Sequence, residues 1–367
     1  MAMQSYRSGP DSARVARELR AAINAGRFPI GQFLPCTRDL GRKHDVSAET
    51  VRRALKGLEV EGLIAAEPRH GFQVIRRPKD GTAPVLAYVL AEWTPDKAHS
   101  FYGLMLSVFQ RVAGRNGCTL LGVGDSGGDP AEVVEQIRRA EVAGVILDTH
   151  NPALCDAVAK LGLAMVIAEN WYSDHRIDAV IQDNFSGALQ AAEYLVARGH
   201  QRIGWAGPAI ESIQAVERWG GAVAGLRRRG LAILPELVAT GVSMRNVEAA
   251  QALLARPDRP TAVIALWANV ATAVARAAAN LGLEFGRDVE IVGWATEEEF
   301  ESYRDLFPNN RAPASVTWRI ETLAEMTLAR LAERRAKPGL PVARINVETR
   351  LRPADEPSPA GGKGGAR

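Results

Sequence analysis

Cationic side chains with helical spacing stand together in one stretch of this chain. Between Thr37 and Phe72 the sequence reads TRDLGRKHDVSAETVRRALKGLEVEGLIAAEPRHGF, and Arg52, Arg53 and Lys56 share one side of a helical register. Groups of that kind bind phosphate oxygens and base edges. The elements that must position them follow from the spacing. Val51, Ala54, Leu55 and Leu58 recur at i, i+3, i+4 and i+7, so the other face of the same helix is apolar. Ser47 stands just ahead, where a hydroxyl can accept a hydrogen bond from a first-turn N–H. A shorter helix, Thr37 to His44, precedes it across a tight Asp45-Val46 connection. Two strand-like runs, Gly62-Leu-Ile and Phe72-Gln-Val-Ile, follow and are joined through Pro68-Arg69-His70-Gly71. Helix, turn, cationic helix and a hairpin with a basic tip make a winged helix-turn-helix. Such a unit lays its second helix in the major groove and grips phosphates with the wing.

The stretch from Val15 to Ile75 resembles the DNA-binding domain of the GntR family. The motifs are Gly26-Arg-Phe-Pro-Ile-Gly31, Leu34-Pro35 with Arg38-Asp39-Leu40, Val46-Ser47 through Thr50 to Leu55, and Leu58-Glu-Val-Glu-Gly62-Leu63-Ile64. The resemblance implies that Arg38 contacts the backbone or a base at the groove edge. It places Ser47, Glu49, Thr50, Arg52 and Arg53 on the reading helix, and Arg69, His70 and Gly71 at the wing tip. Ala48 departs from the family pattern, where arginine is common, which removes one expected base contact.

Charge is distributed to match. Residues 1–80 hold 15 Lys/Arg against 9 Asp/Glu, and the remainder 30 against 33. The positive excess therefore sits with the DNA-reading motif. At 367 residues two or three domains are expected. No run of about eighteen apolar residues suggests a membrane helix, and the N-terminus has no secretory pattern. Cys36, Cys118 and Cys155 are odd in number and widely spaced, which argues against a disulfide framework. A cytoplasmic protein is expected.

From Val85 onward short apolar runs alternate with helical segments of ten or more residues, the signature of doubly wound parallel sheets. Several segments resemble the sensor domain of the LacI/GalR family, whose fold is that of type 1 periplasmic binding proteins. They include Asp183-Asn184, Gly187, Tyr194 to Gly204, Glu217-Arg218-Trp-Gly-Gly221, Pro260-Thr-Ala-Val263, Asp288 to Gly293 and Pro313 to Trp318. The resemblance implies two lobes with a cleft, crossed by the chain near Asp183, Ser315 and Lys337. The fold class expected is α/β: a winged head over 1–76, a linker over 77–84, a two-lobed effector-binding and dimerisation domain over 85–352, and a disordered tail over 353–367.

Ligands of open α/β sheets bind beyond the carboxyl ends of strands. Trp93, Phe101, Tyr102, Trp171, Arg218, Trp267, Asn269 and Trp294 fall at such ends or nearby loops, and the LacI-type motif adds Asp183. Aromatic rings can stack on sugar faces or planar ligands, and Arg218 can hold an oxygen-rich group. Trp267-Ala268 and Ala295-Thr296 stand where sugar-sensing relatives carry polar anchors. The ligand is then less polar than a sugar, bound differently, or absent. Gly122-Val-Gly-Asp-Ser-Gly127 fits the dinucleotide pattern, but Asp125 would face the pyrophosphate, so no cofactor is expected. No HExxH occurs, and neither a metal nor a catalytic residue is expected. The run Glu297-Glu-Glu299 reads as a solvated helix start. The function expected is a homodimeric, DNA-binding transcription regulator, a repressor, that takes operator DNA and a carbohydrate-related small molecule as partners. A regulator with an empty cleft and an α/β enzyme or solute-binding module are the alternatives.

Overall fold

The apolar register of the Thr37–Phe72 stretch becomes the sealed face of a helix in the computed structural model. The structure describes residues 10–24, 27–28, 31–60, 63–67, 71–75, 83–90, 101–124, 129–149, 151–171, 176–210, 212–307 and 310–354. The chain divides into two compact units, residues 1–145 with 161–163, and residues 146–160 with 164–367.

In the first unit, α1 (Pro10–Asn24), α2 (Thr37–His44) and α3 (Ala48–Val60) enclose Val15, Leu19, Ile23, Leu40, Val51, Leu55 and Leu58, all fully buried. Each such burial is worth about 1.5–3 kcal/mol before ordering entropy is subtracted. The α2–α3 turn is tight because Asp45 takes a left-handed conformation (φ 52°). Gly41 permits the closure, since a Cβ there would stand 2.9 Å from the Val46 carbonyl oxygen. Ser47 caps α3, its Oγ accepting from the Thr50 N–H at 3.1 Å. β1 (Ile64–Glu67) and β2 (Gly71–Val74) pair antiparallel, with Ile64 opposite Val74 and Glu67 opposite Gly71. Residues 31–34 run along β2, with Gly31 N donating to Val74 O and Leu34 N to Phe72 O.

The unit continues with β3 (Val85–Leu90), α4 (Phe101–Arg115), β4 (Thr119–Gly124) and α5 (Pro130–Arg139). β3 and β4 pair in parallel from Val85↔Thr119 to Leu90↔Gly124. Asp129 caps α5, so that helix starts beyond the glycine pattern; residues 125–127 of the pattern lie outside the described residues.

β5 (Val145–Asp148) leads into the second unit. There follow α6 (Pro152–Ala159), β6 (Met165–Ala168), β7 (Asp178–Gln182), α7 (Asn184–Ala197), β8 (Ile203–Ala206), α8 (Ile213–Arg227), β9 (Val238–Ala239) and α9 (Glu248–Leu254). The chain closes with β10 (Ala262–Ala265), α10 (Ala268–Asn280), β11 (Glu290–Thr296), α11 (Phe300–Arg304), β12 (Ala314–Trp318), α12 (Ile320–Ala336), β13 (Arg344–Val347) and β14 (Arg350–Arg352). β13, β7, β6 and β5 lie side by side in one sheet, and β14-β12-β11-β10-β8-β9 form the other. β13–β7, β7–β6, β9–β8, β8–β10, β10–β11 and β11–β12 pair in parallel, and β14 runs antiparallel on β12. The expected α/β class with parallel sheets is therefore present.

Glycines set the α7–α8 crossing. A Cβ on Gly221 would lie 2.1 Å from the Phe185 carbonyl oxygen, and one on Gly225 2.9 Å from that of Leu189. At the other sheet, the buried Asp178 carboxylate takes Arg330 Nη2 at 2.8 Å, Arg334 Nε at 2.8 Å and the Ala343 N–H at 2.8 Å. Burial opposes its ionisation, but the bonds from Arg334, Arg330 and Ala343 hold its carboxyl below the usual range.

Two expectations need correcting. The chain does pass from one sheet to the other at Asp183, between β7 and α7. The second passage comes at Arg319, just past the expected Ser315, because α12 packs on β6 and β7. The third falls at Glu348–Thr349, not near Lys337: α12 and β13 serve the same sheet, and only β14 returns to the other. The acidic run does lead into a helix, with Glu299 at the N-cap of α11, but it is only partly solvated. Glu297 is exposed, but Glu298 accepts from the Glu321 N–H at 3.0 Å, and burial raises the Glu299 carboxyl.

Candidate functional site

Two polar constellations stand out, one in each unit. In the head, the sealed face of α3 leaves its other face in solvent. Arg38, Ser47, Glu49, Arg52 and Arg53 are exposed and Thr50 is half-buried. Glu49 organises the cations, with Arg52 Nη1 at 3.1 Å and Arg53 Nε at 3.6 Å. Ser47 Oγ also meets Thr50 Oγ1 at 2.9 Å. Such exposed pairs are weak and screened by salt, so the guanidinium groups are available to a polyanion. Gly71 opens β2 with φ 99°, a conformation suited to glycine. Arg69 and His70 lie outside the described residues.

The second constellation is built at the carboxyl ends of strands in the second unit. α8 brings in Arg218, only 2% exposed. All three guanidinium nitrogens donate to neutral acceptors: Nε to Asn184 Oδ1 at 2.8 Å, Nη1 to Leu266 O at 2.5 Å, and Nη2 to Gln182 Oε1 at 3.0 Å. The guanidinium also stacks on Trp294, 3.7 Å from the ring centroid, a favourable cation–π geometry. Trp294 Nε1 donates to the same Gln182 oxygen at 2.6 Å, and Gln182 Nε2 donates to Glu169 Oε2 at 2.5 Å. The amide of Gln182 thus connects a cation to a carboxyl. Glu169 follows β6 in a left-handed conformation (φ 63°) and is 7% exposed. Burial first, and the Asp148 charge second, push its carboxyl up to about 8. Arg218 stays cationic because guanidinium holds its proton.

A more exposed rim surrounds this core. Trp171 Nε1 donates to Glu217 Oε1 at 3.0 Å, and Asn184 Nδ2 to Glu217 Oε2 at 3.1 Å. Arg344 pairs with Glu217 and lies 4.6 Å over the Trp171 ring. Beneath the rim, buried Asn170 donates to the Thr149 carbonyl at 2.8 Å and buried Gln214 to that of Glu169.

Of the effector residues expected from the sequence, Trp171, Arg218 and Trp294 come together here. Asp183 is adjacent in sequence to Gln182 and Asn184, but its Oδ1 caps α7 by accepting from the Ser186 N–H at 3.1 Å. Trp267 packs on the hydrophobic core around Val270 and Ala271, and Asn269 is exposed on the first turn of α10. Phe101 and Tyr102 open α4 in the first unit with ring centroids 5.8 Å apart. Trp93 lies outside the described residues. Trp205 and Trp219 pack edge to face, 5.3 Å apart. The sequence reading missed Glu169, Gln182, Asn184, Gln214 and Glu217. The available signal was position: Glu169 and Gln182 immediately end β6 and β7, and Gln214, Glu217 and Arg218 fall at helical spacing.

Residues 84–306 match the family model described as periplasmic binding proteins and sugar binding domain of LacI family, and residues 11–74 match that of bacterial regulatory proteins, gntR family. Among curated proteins the chain is similar to the HTH-type transcriptional repressor PurR of Pasteurella multocida, with 28% identity over 166 residues, 44% of this chain and 50% of that protein. The match thus spans about half the length of that relative. Among solved structures it is similar to the transcriptional regulator CelR–cellobiose complex, with TM-score 0.65 and 21% identity over 84% of this chain and 89% of that one. The lac repressor dimer bound to operator and the anti-inducer ONPF gives TM-score 0.63 and 16% identity over 75% and 94%. At these identities the two structures speak to fold alone.

Proposed function

The chain belongs to the family of periplasmic binding proteins and LacI-type sugar-binding domains, and from that premise we propose that it is a transcription regulator, a repressor, whose operator binding responds to a small molecule. The head over 1–76 reads DNA with α3 and the wing, and 77–84 links it to an effector-binding and dimerisation domain over 85–352. Residues 353–367 are a tail. The reading rests above all on α3. Its apolar face is sealed in the head core, while Arg52 and Arg53 stand in solvent beside Ser47, at the helix start that enters a groove. A two-fold dimer in the cytoplasm, binding a palindromic site, fits the repressor relatives. The effector acts by binding one arrangement of the sensor better than another. A coupling of about 1–3 kcal/mol suffices to change occupancy severalfold or more. Mobility-shift titration with DNA from the protein's own promoter region tests the reading: specific binding, altered by at least one small molecule, supports it, and indifference to sequence removes it.

One observation favours a second reading, a regulator with a closed cleft. All three nitrogens of Arg218 are already engaged by protein acceptors. If no small molecule changes the stability of a preparation that binds its operator, this reading replaces the first.

A further inference from the structure

The reading face of α3 carries an acid. Glu49 stands on the first turn, between Ser47 and Arg52, and its side chain is 58% exposed. A carboxylate turned toward a polyanion lowers affinity unless something at the interface needs it. Helix stability does not supply the need. Ser47 already caps α3 through the Thr50 N–H at 3.1 Å, and an exposed ion pair within one helix adds little. What is specific is where the two carboxylate oxygens go. Oε2 accepts from Arg52 Nη1 at 3.1 Å, and Oε1 faces Arg53 Nε at 3.6 Å. Lys56, further along the same face, is served by Glu59 instead, at 2.8 Å. One carboxylate between two guanidinium groups leaves the face cationic and keeps the head of Arg52 beside an acceptor. Guanidinium has five N–H donors, so the bond to Glu49 leaves Arg52 with donors for DNA.

An acceptor beside donors matches a particular base-pair edge. In the major groove a C·G pair shows, in order, the free N4–H of cytosine and then the O6 and N7 acceptors of guanine. Glu49 and Arg52 offer the complement in the same order: a carboxylate oxygen for N4–H, and a guanidinium for O6 and N7. We propose that the Glu49–Arg52 pair reads one C·G base pair in each half-site, Glu49 on the cytosine amino group and Arg52 on the guanine. This rests on the regulator reading and gives it a sequence preference. An A·T pair fits worse. There the N6 amino donor lies between O4 of thymine and N7 of adenine, so a carboxylate on N6 meets acceptor lone pairs on both sides. The neighbouring residues do not compete for that edge. Ala48 has no polar group, and Ser47 Oγ and Thr50 Oγ1 bond to each other at 2.9 Å. Arg53, one residue round the helix, is left for a phosphate.

Selection of sites from random DNA by the full-length protein tests this, with wild type, Glu49→Ala and Glu49→Gln compared. Wild type is expected to enrich one C·G pair in each half-site. Glu49→Ala is expected to lose that preference, and Glu49→Gln to shift it toward A·T, because an amide pairs with adenine N6 and N7. The shift by Glu49→Gln decides by itself should Glu49→Ala fail to fold. At the selected position, 2-pyrimidinone in place of cytosine deletes the amino group from the DNA side. That change is expected to weaken wild type about tenfold more than Glu49→Ala. Likewise, 7-deazaguanine on the opposite strand should weaken wild type more than Arg52→Ala. A carboxylate that serves only the helix gives another result: Glu49→Ala binds every sequence more tightly, with its base preferences unchanged. That outcome, retention of C·G by Glu49→Gln, or equal losses in wild type and Glu49→Ala when the amino group is deleted, overturns the inference while the regulator reading stands. If wild type enriches no sequence at all, both fall together.

Discussion

The head and the Arg218 site use the same side chains in opposite ways. In the head, Arg52 is well exposed, tethered among the described residues to Glu49, and backed by an apolar core that holds α3 without it. In the sensor, Arg218 is buried and joins α8, the start of α7, the end of β7 and the loop after β10 through three hydrogen bonds and a stack. One arginine is kept loose for a partner; the other helps hold the fold. Exposure therefore separates the two roles better than residue type, and the two regions should answer mutation differently.

The largest expected effect is in the sensor. Arg218→Ala leaves Asn184 Oδ1 and the Leu266 carbonyl as buried acceptors without that donor, leaves Gln182 Oε1 to Trp294 Nε1 alone, and uncovers the Trp294 ring, a loss of about 3–5 kcal/mol, measured by urea unfolding of the full-length protein. Next comes Glu169. Its folded-state pKa, near 8, lies above the ordinary 4.5. Its contribution is therefore fully present below about pH 4.5 and lost as pH rises through 8, at about 1.4 kcal/mol per pH unit at most. Relative to wild type, Glu169→Gln should match at pH 5 and gain stability toward pH 9, as thermal melts across that range would register. Asp148 works in the same direction and Arg218 against it.

Gly221→Ala is smaller. The added Cβ would meet the Phe185 carbonyl at 2.1 Å, so α7 and α8 must move apart, costing about 1–3 kcal/mol. Ser47→Ala in the head removes a single cap, about 1 kcal/mol, visible as earlier melting of the head. Arg52→Ala is expected to leave melting unchanged, because its ion-pair partner among the described residues is an exposed carboxylate three residues away. If Arg52→Ala melted the head while Arg218→Ala left the sensor intact, the contrast between the two regions would be wrong.

Much of this contrast could be read from the residues. Local signals are strong in the head: the register from Val51 to Leu58, the cap at Ser47 and the tight turn at Asp45 act within a few positions of one another. The sensor's strand and helix alternation was equally plain, and Trp171, Arg218 and Trp294 were found from their strand ends. What stayed hidden depends on partners distant in sequence. Gln182 meets Trp294 across 112 positions, and no local pattern marks that amide as the connector. Trp267 illustrates the reverse: a strand-end tryptophan that packs on the core. The third sheet crossing was misplaced because α12 reads the same whichever sheet it covers; its packing on β6 and β7 and the Asp178–Arg330–Arg334 cluster fix it there.

The most direct test of the regulator reading is binding to the protein's own promoter-region DNA, comparing wild type with Arg52→Ala across a salt series. Wild type is expected to bind a specific site, with log affinity falling against log salt by about 0.9 per phosphate contact. Arg52→Ala is expected to lose about 1–3 kcal/mol and relax specificity while remaining folded. Equal, weak binding of both proteins to any DNA would contradict the assignment of α3 as a sequence reader and leave the α/β domain as the working part.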